Sequence, residues 1–395
     1  MRIFLLFILC SVVLACSKKQ TSPVPGYYTL YFATENGVIP ARLDIDNVGG
    51  WHIINSEEAI QLDSVIMRND SFFVKMPLFD SSLLGYWKND SLFGHWIDHS
   101  RLNYSIPFMG KLTTSDSCSA HIEELNYQVT FSPTDTSAIS YGYAVLQKRS
   151  NILTGTILTE TGDYRYLEGE ITDDSLWLSA FDGTHLFYLK GFLSGDSIIN
   201  GVFLSGKHWK ESWMASPSNS NTLRNPYSIT TVRNGKNPGF QVLTSEGTPI
   251  QFDSTSWKNR VSIIQVMGSW CPNCTDESRF LRELYMSHKD QNLQVIPIAF
   301  ERGDDITAAC SRVQKQFNEL QIPFSFYYGG KSNKEEAQKK LNFLSAVHSF
   351  PTSVFIDKNG VVRRVYTGYY GPRTHEEYQR HSEETKALIR ELLAE

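Results

Sequence analysis

The chain has 395 residues and a net charge of −5, and 41% of its residues are hydrophobic. This length exceeds that of one small domain, so at least two units are expected, and the apolar content suffices for packed cores. Because the composition has no basic surplus, nucleic acid is not expected as a partner.

The first sixteen residues have the pattern of an export signal. Arg2 supplies a positive start, and residues 3–14 are apolar but too few for a stable membrane-spanning helix. The run that follows, Val13-Leu14-Ala15-Cys16, resembles the lipobox of bacterial lipoproteins. That resemblance implies a lipoprotein signal peptide at residues 1–16, lipidation of Cys16 and a polar tether over residues 17–25. An ordinary cleaved secretory signal is the alternative, and both interpretations predict export.

Residues 26–215 alternate apolar and polar side chains in many short runs, such as residues 28–32 and 126–131. Gly, Asn, Asp and Ser separate the runs, which is typical of antiparallel hairpins. A weak repeat of Asp-Ser turns occurs within residues 70–94 and again within residues 174–201. The sequence therefore predicts an all-β accessory domain, an antiparallel sandwich or barrel with pseudo-symmetric halves.

The composition changes at residues 216–238, where Ser, Asn, Pro and Gly predict a solvated linker. Residues 239–395 then alternate strand and helix patterns. A hairpin comes first, followed by an apolar strand at 261–267, a helix at 276–288, further alternation, a second hairpin and a final amphipathic helix. This order predicts a C-terminal α/β domain with a mixed central sheet.

The strongest chemical signal is the pair Cys271 and Cys274, which follows the apolar run 261–267 and opens a helical pattern. Two residues between the sulfurs allow a small disulfide ring to close. The N-terminus of the helix stabilises a thiolate on the first cysteine. A C-x-x-C motif at a strand-to-helix junction is the arrangement that thiol–disulfide exchange needs.

Together with Trp270, Glu277 and the run Phe350-Pro351-Thr352, this motif resembles the TlpA/ResA-type thiol–disulfide oxidoreductases of the redoxin superfamily. These are extracytoplasmic, membrane-tethered proteins with a thioredoxin fold, and in Bacteroidetes they are commonly lipoproteins. The resemblance covers roughly residues 224–395. It implies a thioredoxin-like fold there, a redox-active disulfide between Cys271 and Cys274, and no further cofactor.

The resemblance and the helix position assign tasks to the catalytic candidates. Cys271, at an exposed helix start, is expected to be the attacking thiolate, and Cys274 the buried resolving thiol. Glu277 is expected to exchange a proton with Cys274 if it is partly buried. The alternative for Glu277 is an acid favoured only by the helix dipole, which is also the interpretation given to Asp276. Glu301 is a second candidate proton carrier.

Three further residues are expected at the substrate side of the pair. Pro351 resembles the family's cis-proline, which brings the preceding backbone beside the sulfurs to pair with a substrate chain. A trans proline that starts a strand is the alternative. Phe350 is expected to narrow the entry, and Trp270 to shield the cysteines from water.

The remaining cysteines carry no motif. Cys118 and Cys310 are expected to be unpaired, and a structural bridge between them is the alternative. A zinc site is not expected, because no second C-x-x-C and no histidine pair stands at ligand spacing.

These observations predict a lipid-anchored, periplasm-facing thiol–disulfide oxidoreductase of the cell envelope, in the reductase direction. The expected partners are protein or small-molecule disulfides and thiols, a membrane electron donor, and the membrane itself through Cys16. Two alternatives remain open. One is a peroxiredoxin-like antioxidant activity, and the other is a binding lipoprotein that uses the redox fold as a scaffold.

Overall fold

The computed structural model describes residues 22–113, 121–233 and 238–395. The signal peptide predicted at residues 1–16, the lipidation site Cys16 and the thiol of Cys118 lie outside the described residues. Across the part of the chain that is described, no helix has both the length and the apolar character needed to cross a membrane.

The first nine strands form one antiparallel sheet with the order β4-β3-β2-β1-β9-β8-β7-β6-β5. They are β1 (Gly26–Thr34), β2 (Gly37–Ile45), β3 (Trp51–Asn55), β4 (Glu58–Leu62), β5 (Ser64–Arg68), β6 (Ser71–Lys75), β7 (Ser81–Lys88), β8 (Ser91–Asp98) and β9 (Tyr104–Thr113). The two edge strands are consecutive in the chain, with only Asp63 between them. The sheet therefore curls until its edges approach each other at that corner.

The next nine strands form a second antiparallel sheet, which closes into a barrel. They are β10 (Glu123–Phe131), β11 (Ser140–Arg149), β12 (Ile152–Thr159), β13 (Gly162–Asp163), β14 (Leu167–Ile171), β15 (Ser175–Phe181), β16 (Leu186–Ser194), β17 (Ser197–Ser205) and β18 (Trp209–Pro217). Closure follows because β11 pairs with both β10 and β12, which leaves the short β13 as an extra strand on β12. The N-terminal part of the chain is thus all-β.

The two β sheets share a core of aromatic and aliphatic side chains. Phe181 of the barrel inserts into the first sheet, where its ring centroid lies 5.0 Å from that of Phe32 and 5.2 Å from that of Trp96. The buried Asn55 donates to the carbonyl of Phe181 and accepts from its N–H, both at 2.9 Å. This pairing satisfies backbone groups that burial would otherwise leave unbonded, so the two sheets pack as one β region.

The C-terminal part is a seven-stranded mixed sheet with helices on both faces. Its strand order is β20-β19-β23-β22-β21-β24-β25, and β21, β22 and β23 are parallel. The elements are β19 (Phe240–Leu243), β20 (Pro249–Phe252), β21 (Val261–Met267), β22 (Leu293–Glu301), β23 (Tyr327–Lys331), β24 (Thr352–Ile356), β25 (Val362–Thr367), α1 (Pro226–Ile229), α2 (Ser254–Trp257), α3 (Pro272–His288), α4 (Ile306–Glu319), α5 (Lys334–Lys340), α6 (Glu376–Ala394) and a 3₁₀ turn (Pro372–Thr374).

The central strand β21 is buried along its whole length. Its residues alternate between the two faces of the sheet, as strand geometry requires. Val261 and Ile263 belong to the cluster that contains α3 and α6. Ile264 and Val266 belong to the cluster on the other face, which contains Ala337 of α5. This layering places the C-terminal end of β21 and the start of α3 at one edge of the unit.

The segment predicted as a solvated linker, residues 216–238, is only partly free of contacts. Strand β18 continues to Pro217. Further on, the ring of Tyr227 lies edge-on to Tyr366 at 4.9 Å, and Val232 pairs with Leu344. The second half of the segment therefore packs onto the C-terminal unit.

Candidate active site

The two cysteines lie where β21 turns into α3. Cys271 is the N-cap of α3, and its Sγ accepts a hydrogen bond from the backbone N–H of Cys274 at 3.2 Å. Pro272 occupies the first helical position, where the missing N–H costs nothing. On its other side, the thiol of Cys271 donates to the carbonyl oxygen of Phe350 at 3.4 Å. The first sulfur is therefore fixed between the helix start and the segment before Pro351.

The second sulfur is fully enclosed. Cys274 has no exposed surface, and both cysteines are free thiols in this structure. Burial raises the pKa of Cys274 well above its usual value, and the adjacent Cys271 sulfur raises it further. Cys274 is consequently held as a protonated thiol, which needs a proton acceptor before it can act as a nucleophile.

A buried carboxylate lies beside the second cysteine. Glu277 is 1% exposed, and its two oxygens accept from Gln265 Nε2 and from Ser353 Oγ, each at 2.9 Å. Burial raises the pKa of Glu277 to about 7, while the two hydrogen bonds lower it in part. An acid that titrates near neutrality can both accept and return a proton.

Gln265 connects this carboxylate to the cysteine helix. Its Nε2 donates to the carbonyl of Cys274 at 3.2 Å as well as to Glu277, and its Oε1 accepts from Ser278 Oγ at 3.1 Å. Hydrogen bonds thus fix both the nitrogen and the oxygen of the Gln265 side-chain amide. Neither Gln265 nor Ser353 was predicted as a site residue. The one signal available in the sequence was a glutamine inside the otherwise apolar run of β21.

Glu301 holds the loop that precedes the first cysteine. Its carboxylate accepts from the N–H of Ser269 at 2.6 Å and from Ser269 Oγ at 2.7 Å, and Arg312 Nε lies 3.5 Å away. On the other side of the loop, Gln316 Nε2 donates to the carbonyl of Ser269 at 2.9 Å. These contacts give Glu301 a structural role in positioning Cys271.

Aromatic rings line the entrance beside Pro351. The Phe350–Pro351 peptide bond is cis. Trp270 donates from Nε1 to the carbonyl of Phe300 at 2.9 Å, and its ring lies edge-on to Phe350 at 5.6 Å. The guanidinium of Arg302 lies 4.9 Å above the Trp270 ring, within range of a cation–π contact. The three residues predicted at the substrate side, Trp270, Phe350 and Pro351, therefore lie together.

The first cysteine is less accessible than the sequence predicts. Cys271 was expected at an exposed helix start, yet it is only 5% exposed. Beside it, Asp163 at the end of the β12–β13 hairpin of the β region contacts Asn273, which lies between the two cysteines. Asn273 Nδ2 donates to the Asp163 carbonyl at 3.1 Å and to its carboxylate at 2.9 Å. The prediction of an exposed Cys271 is thus wrong for this structure, because the residue packs in a buried cluster with Met267 and Cys274, against which Phe350 also lies.

Asp276 also differs from its sequence interpretation as a simple helix-dipole acid. It is buried, and its carboxylate pairs with Arg165 of the β region at 3.3 Å and with Arg279 at 2.7 Å. The thiol of Cys310, a residue of α4, is free and buried. Within residues 22–113, 121–233 and 238–395, no group of three His, Cys, Asp or Glu side chains is arranged to hold a metal ion.

Known proteins resemble the C-terminal part of the chain. The Redoxin family model matches residues 232–380. The thiol-disulfide oxidoreductase ResA of Bacillus thuringiensis subsp. konkukian is 28% identical over 141 residues, which are 36% of this chain and 73% of the relative. ResA of Geobacillus thermodenitrificans is 23% identical over 149 residues, 38% of this chain and 75% of the relative.

Solved structures are also similar in this part. A thioredoxin-family thiol:disulfide interchange protein from Chlorobium tepidum TLS is 19% identical, and the match covers 41% of this chain and 99% of that one, with a TM-score of 0.31. A thiol-disulfide oxidoreductase from Bacteroides fragilis is 15% identical, covering 37% and 98%, with a TM-score of 0.28.

The Redoxin match and the ResA relatives define the class. Residues 232–380 carry a redoxin domain, and the dithiol at the start of α3 lies within it. The protein is a thiol–disulfide oxidoreductase, and part of its chain resembles the Redoxin family and the ResA relatives.

Proposed function

We propose that the protein is a membrane-anchored, extracytoplasmic reductase of protein disulfides, built on a thioredoxin-like C-terminal domain. The observation that carries this proposal is the local chemistry of the dithiol. Cys271 caps a helix, Cys274 is a buried thiol, and Glu277 lies in the same buried hydrogen-bond network. The proposed domains are the β region at residues 26–215 and the redox domain at residues 239–395, with a linker between them.

The proposed reaction starts from the reduced dithiol. The Cys271 thiolate attacks one sulfur of a substrate disulfide, so a mixed disulfide forms and the other substrate sulfur leaves as a thiolate, which takes up a proton. Cys274 then gives its proton to the Glu277 carboxylate and attacks the Sγ of Cys271. The Cys271–Cys274 disulfide forms, the second substrate thiol is released, and two electrons have passed to the substrate.

Backbone and aromatic groups would position the substrate for this attack. Trp270 and Phe350 supply apolar surface beside Cys271, and the carbonyl of Phe350 faces its sulfur. The dithiol is restored by a membrane thiol–disulfide donor. Lipid on Cys16 would keep the enzyme at the periplasmic face of the membrane, and the lipobox-like run at residues 13–16 supports that assignment.

Turnover of a disulfide substrate tests the proposal. With insulin as substrate and dithiothreitol as donor, Cys271→Ser is expected to abolish the enzyme-dependent reduction. The matched variant Cys274→Ser is also expected to lose turnover, but it should accumulate a mixed disulfide at Cys271 that mass spectrometry detects. Wild-type turnover by Cys271→Ser would contradict the proposal, as would peroxide consumption by a chain in which Cys271 is the one reactive cysteine.

A further inference from the structure

The tip of the β12–β13 hairpin, residues 159–163, lies on the face of the redox domain that contains Cys271. We call this segment the hairpin tip. Four groups of the redox domain donate hydrogen bonds to it. These are Asn273 Nδ2 to the Asp163 carboxylate at 2.9 Å, Gly371 N to the same carboxylate at 2.9 Å, Ser349 Oγ to the Thr161 carbonyl at 2.8 Å, and Tyr370 Oη to the Thr159 carbonyl at 2.9 Å.

At this contact, the backbones of the hairpin tip and the redox domain lie so close that two positions have no room for a side chain larger than that of glycine. A Cβ added to Gly162 would lie 2.8 Å from Asn273 Nδ2 and 3.1 Å from the carbonyl oxygen of Tyr369. A Cβ added to Gly368, which has a φ of +77°, would lie 2.6 Å from the carbonyl carbon of Thr161. Both glycines therefore serve the fit between hairpin tip and redox domain.

Two neighbouring contacts hold the barrel in the same position. Thr184, in the turn between β15 and β16, donates from Oγ1 to the carbonyl of Trp270 at 3.2 Å. Arg165, two residues after the hairpin tip, pairs with Asp276 of α3 at 3.3 Å. Contacts from the β region thus reach Trp270, Asn273 and Asp276, which are residues on either side of Cys271.

With the hairpin tip in this position, Cys271 presents little surface to a protein disulfide. Exchange requires a substrate sulfur to approach the Sγ of Cys271 directly, and the residue is 5% exposed. The segment Ser349–Phe350, where a substrate chain is expected beside the sulfur, is already bonded to the hairpin tip through Ser349. The hairpin tip contains no cysteine, so it occupies this surface without reacting.

We propose that the hairpin tip is an autoinhibitory cap, and that it must leave the Cys271 face before a protein disulfide can be reduced. The proposal rests on the proposed reductase function and adds to it a specificity device. The β region sets which substrates reach the dithiol, because a polypeptide must displace the hairpin tip before it can react. The Cys271 sulfur by itself would not distinguish one disulfide substrate from another.

Alkylation of Cys271 measures the cap directly. The full chain is reduced and treated with iodoacetamide or with a maleimide carried on a polyethylene glycol chain, and the peptide that contains Cys271 is quantified over time by mass spectrometry. The triple variant Thr184→Val, Ser349→Ala, Tyr370→Phe deletes three hydroxyls that bond across the contact. Because each such hydrogen bond is worth roughly a fivefold factor, the variant should label on the order of 100-fold faster with both reagents.

The control variant removes the same three kinds of hydroxyl at positions that make no hydrogen bond to the redox domain. It is Ser137→Ala, Tyr143→Phe, Thr172→Val, whose hydroxyls contact Asp135, Ser218 and Asp174. This variant is expected to label at the wild-type rate. If the triple variant does not fold, Tyr370→Phe alone should still label roughly fivefold faster.

The cap and the proposed function fail in different ways. Equal labelling of Cys271 in wild type, Tyr370→Phe and the triple variant would overturn the cap, even if all of them reduce insulin. Faster labelling in the variants supports the cap whether or not insulin is turned over, because alkylation does not depend on the resolving step. If the cap selects substrates, the triple variant should raise the rate of insulin reduction by a larger factor than the rate of reduction of a small aryl disulfide. An equal rise in the two rates would contradict this role of the cap.

Discussion

At the scale of single residues, we propose that Glu277 controls when Cys274 can react. The carboxylate is enclosed, and burial raises its pKa to about 7. Cys274, whose pKa is also raised by burial, needs a neighbour that accepts its proton. Glu277 is the acid that the Gln265 amide joins to the backbone carbonyl of Cys274, and its nearby charge raises the pKa of Cys274 further.

Glu277→Gln is expected to slow release of the mixed disulfide by roughly 100-fold, because the general base is lost. In the wild type, the release rate should rise with pH through about 7 as the Glu277 carboxyl ionises. In the variant this dependence should disappear. Rapid mixing of the reduced enzyme with a peptide disulfide at a series of pH values, followed by acid quenching, measures both quantities.

The exposed Glu283 on the same helix gives the matched control, and Glu283→Gln should keep the wild-type profile. A stability measurement adds a second check. The folded-state pKa of Glu277 lies above the unfolded value, so its stabilising contribution is complete below about pH 4.5 and is lost as the pH rises through about 7. Glu277→Gln should therefore flatten that decline in unfolding free energy. An unchanged rate profile in the variant would exclude Glu277 as the proton acceptor.

The sequence predicted the two sulfurs and Glu277 as site residues because they share one short motif. It did not identify Gln265, Ser353 or Asp163, since their roles arise only when separate segments meet. Ser353 contacts Glu277 across 76 residues, and Asp163 contacts Asn273 across 110 residues. Pairing over such distances depends on tertiary packing, which local patterns do not encode.

At the scale of elements, α3 connects the chemistry to the β region. The sequence pattern predicted this helix from residue 276, whereas it begins at Pro272 because the Cys271 cap and the proline start it four residues earlier. The four-residue helices α1 and α2 were not predicted, since a single turn has too few residues to show a helical period. The Asp-Ser repeat corresponds to two similar three-stranded meanders, β6–β8 and β15–β17.

Arg165 is the charged link between the barrel and α3. It is buried, pairs with Asp276 at 3.3 Å, and also bonds Glu58 of the first sheet. Burial alone would lower the pKa of Arg165, but the surrounding carboxylates Asp276 and Glu58 raise it. The guanidinium therefore compensates negative charge from two other parts of the fold, α3 and the first sheet.

Arg165→Met is expected to lower the free energy of unfolding by about 3 kcal/mol, because Glu58 loses its cation and the buried Asp276 keeps only its pair with Arg279. Urea unfolding followed by tryptophan fluorescence measures the change. The matched control is Arg42→Met, which removes a more exposed ion pair with Glu168. That control should cost about 1 kcal/mol or less. Equal losses for the two variants would show that Arg165 does not link the units.

At the scale of the whole molecule, the protein joins an all-β region to a redox domain. One hairpin of the β region contacts the redox domain beside the dithiol. The alternating strand patterns predicted the all-β class, but they could not predict that the strands divide into an open sheet and a closed barrel. That division depends on which strands pair at the sheet edges, as with β11 and β12, and edge pairing has no local signature. The contact between the β12–β13 hairpin and Asn273 follows from the same long-range arrangement.

The most direct test of the central claim is the reduction potential of the Cys271–Cys274 couple in the full chain. The protein is equilibrated in thiol–disulfide buffers of graded potential and quenched with acid, and the disulfide-linked peptide is quantified by mass spectrometry. A reductase predicts one reversible two-electron transition near thioredoxin's potential, about −270 mV. A transition near that of DsbA, about −120 mV, would contradict the reductase direction. If no Cys271–Cys274 disulfide forms at any potential, the dithiol is not the redox centre.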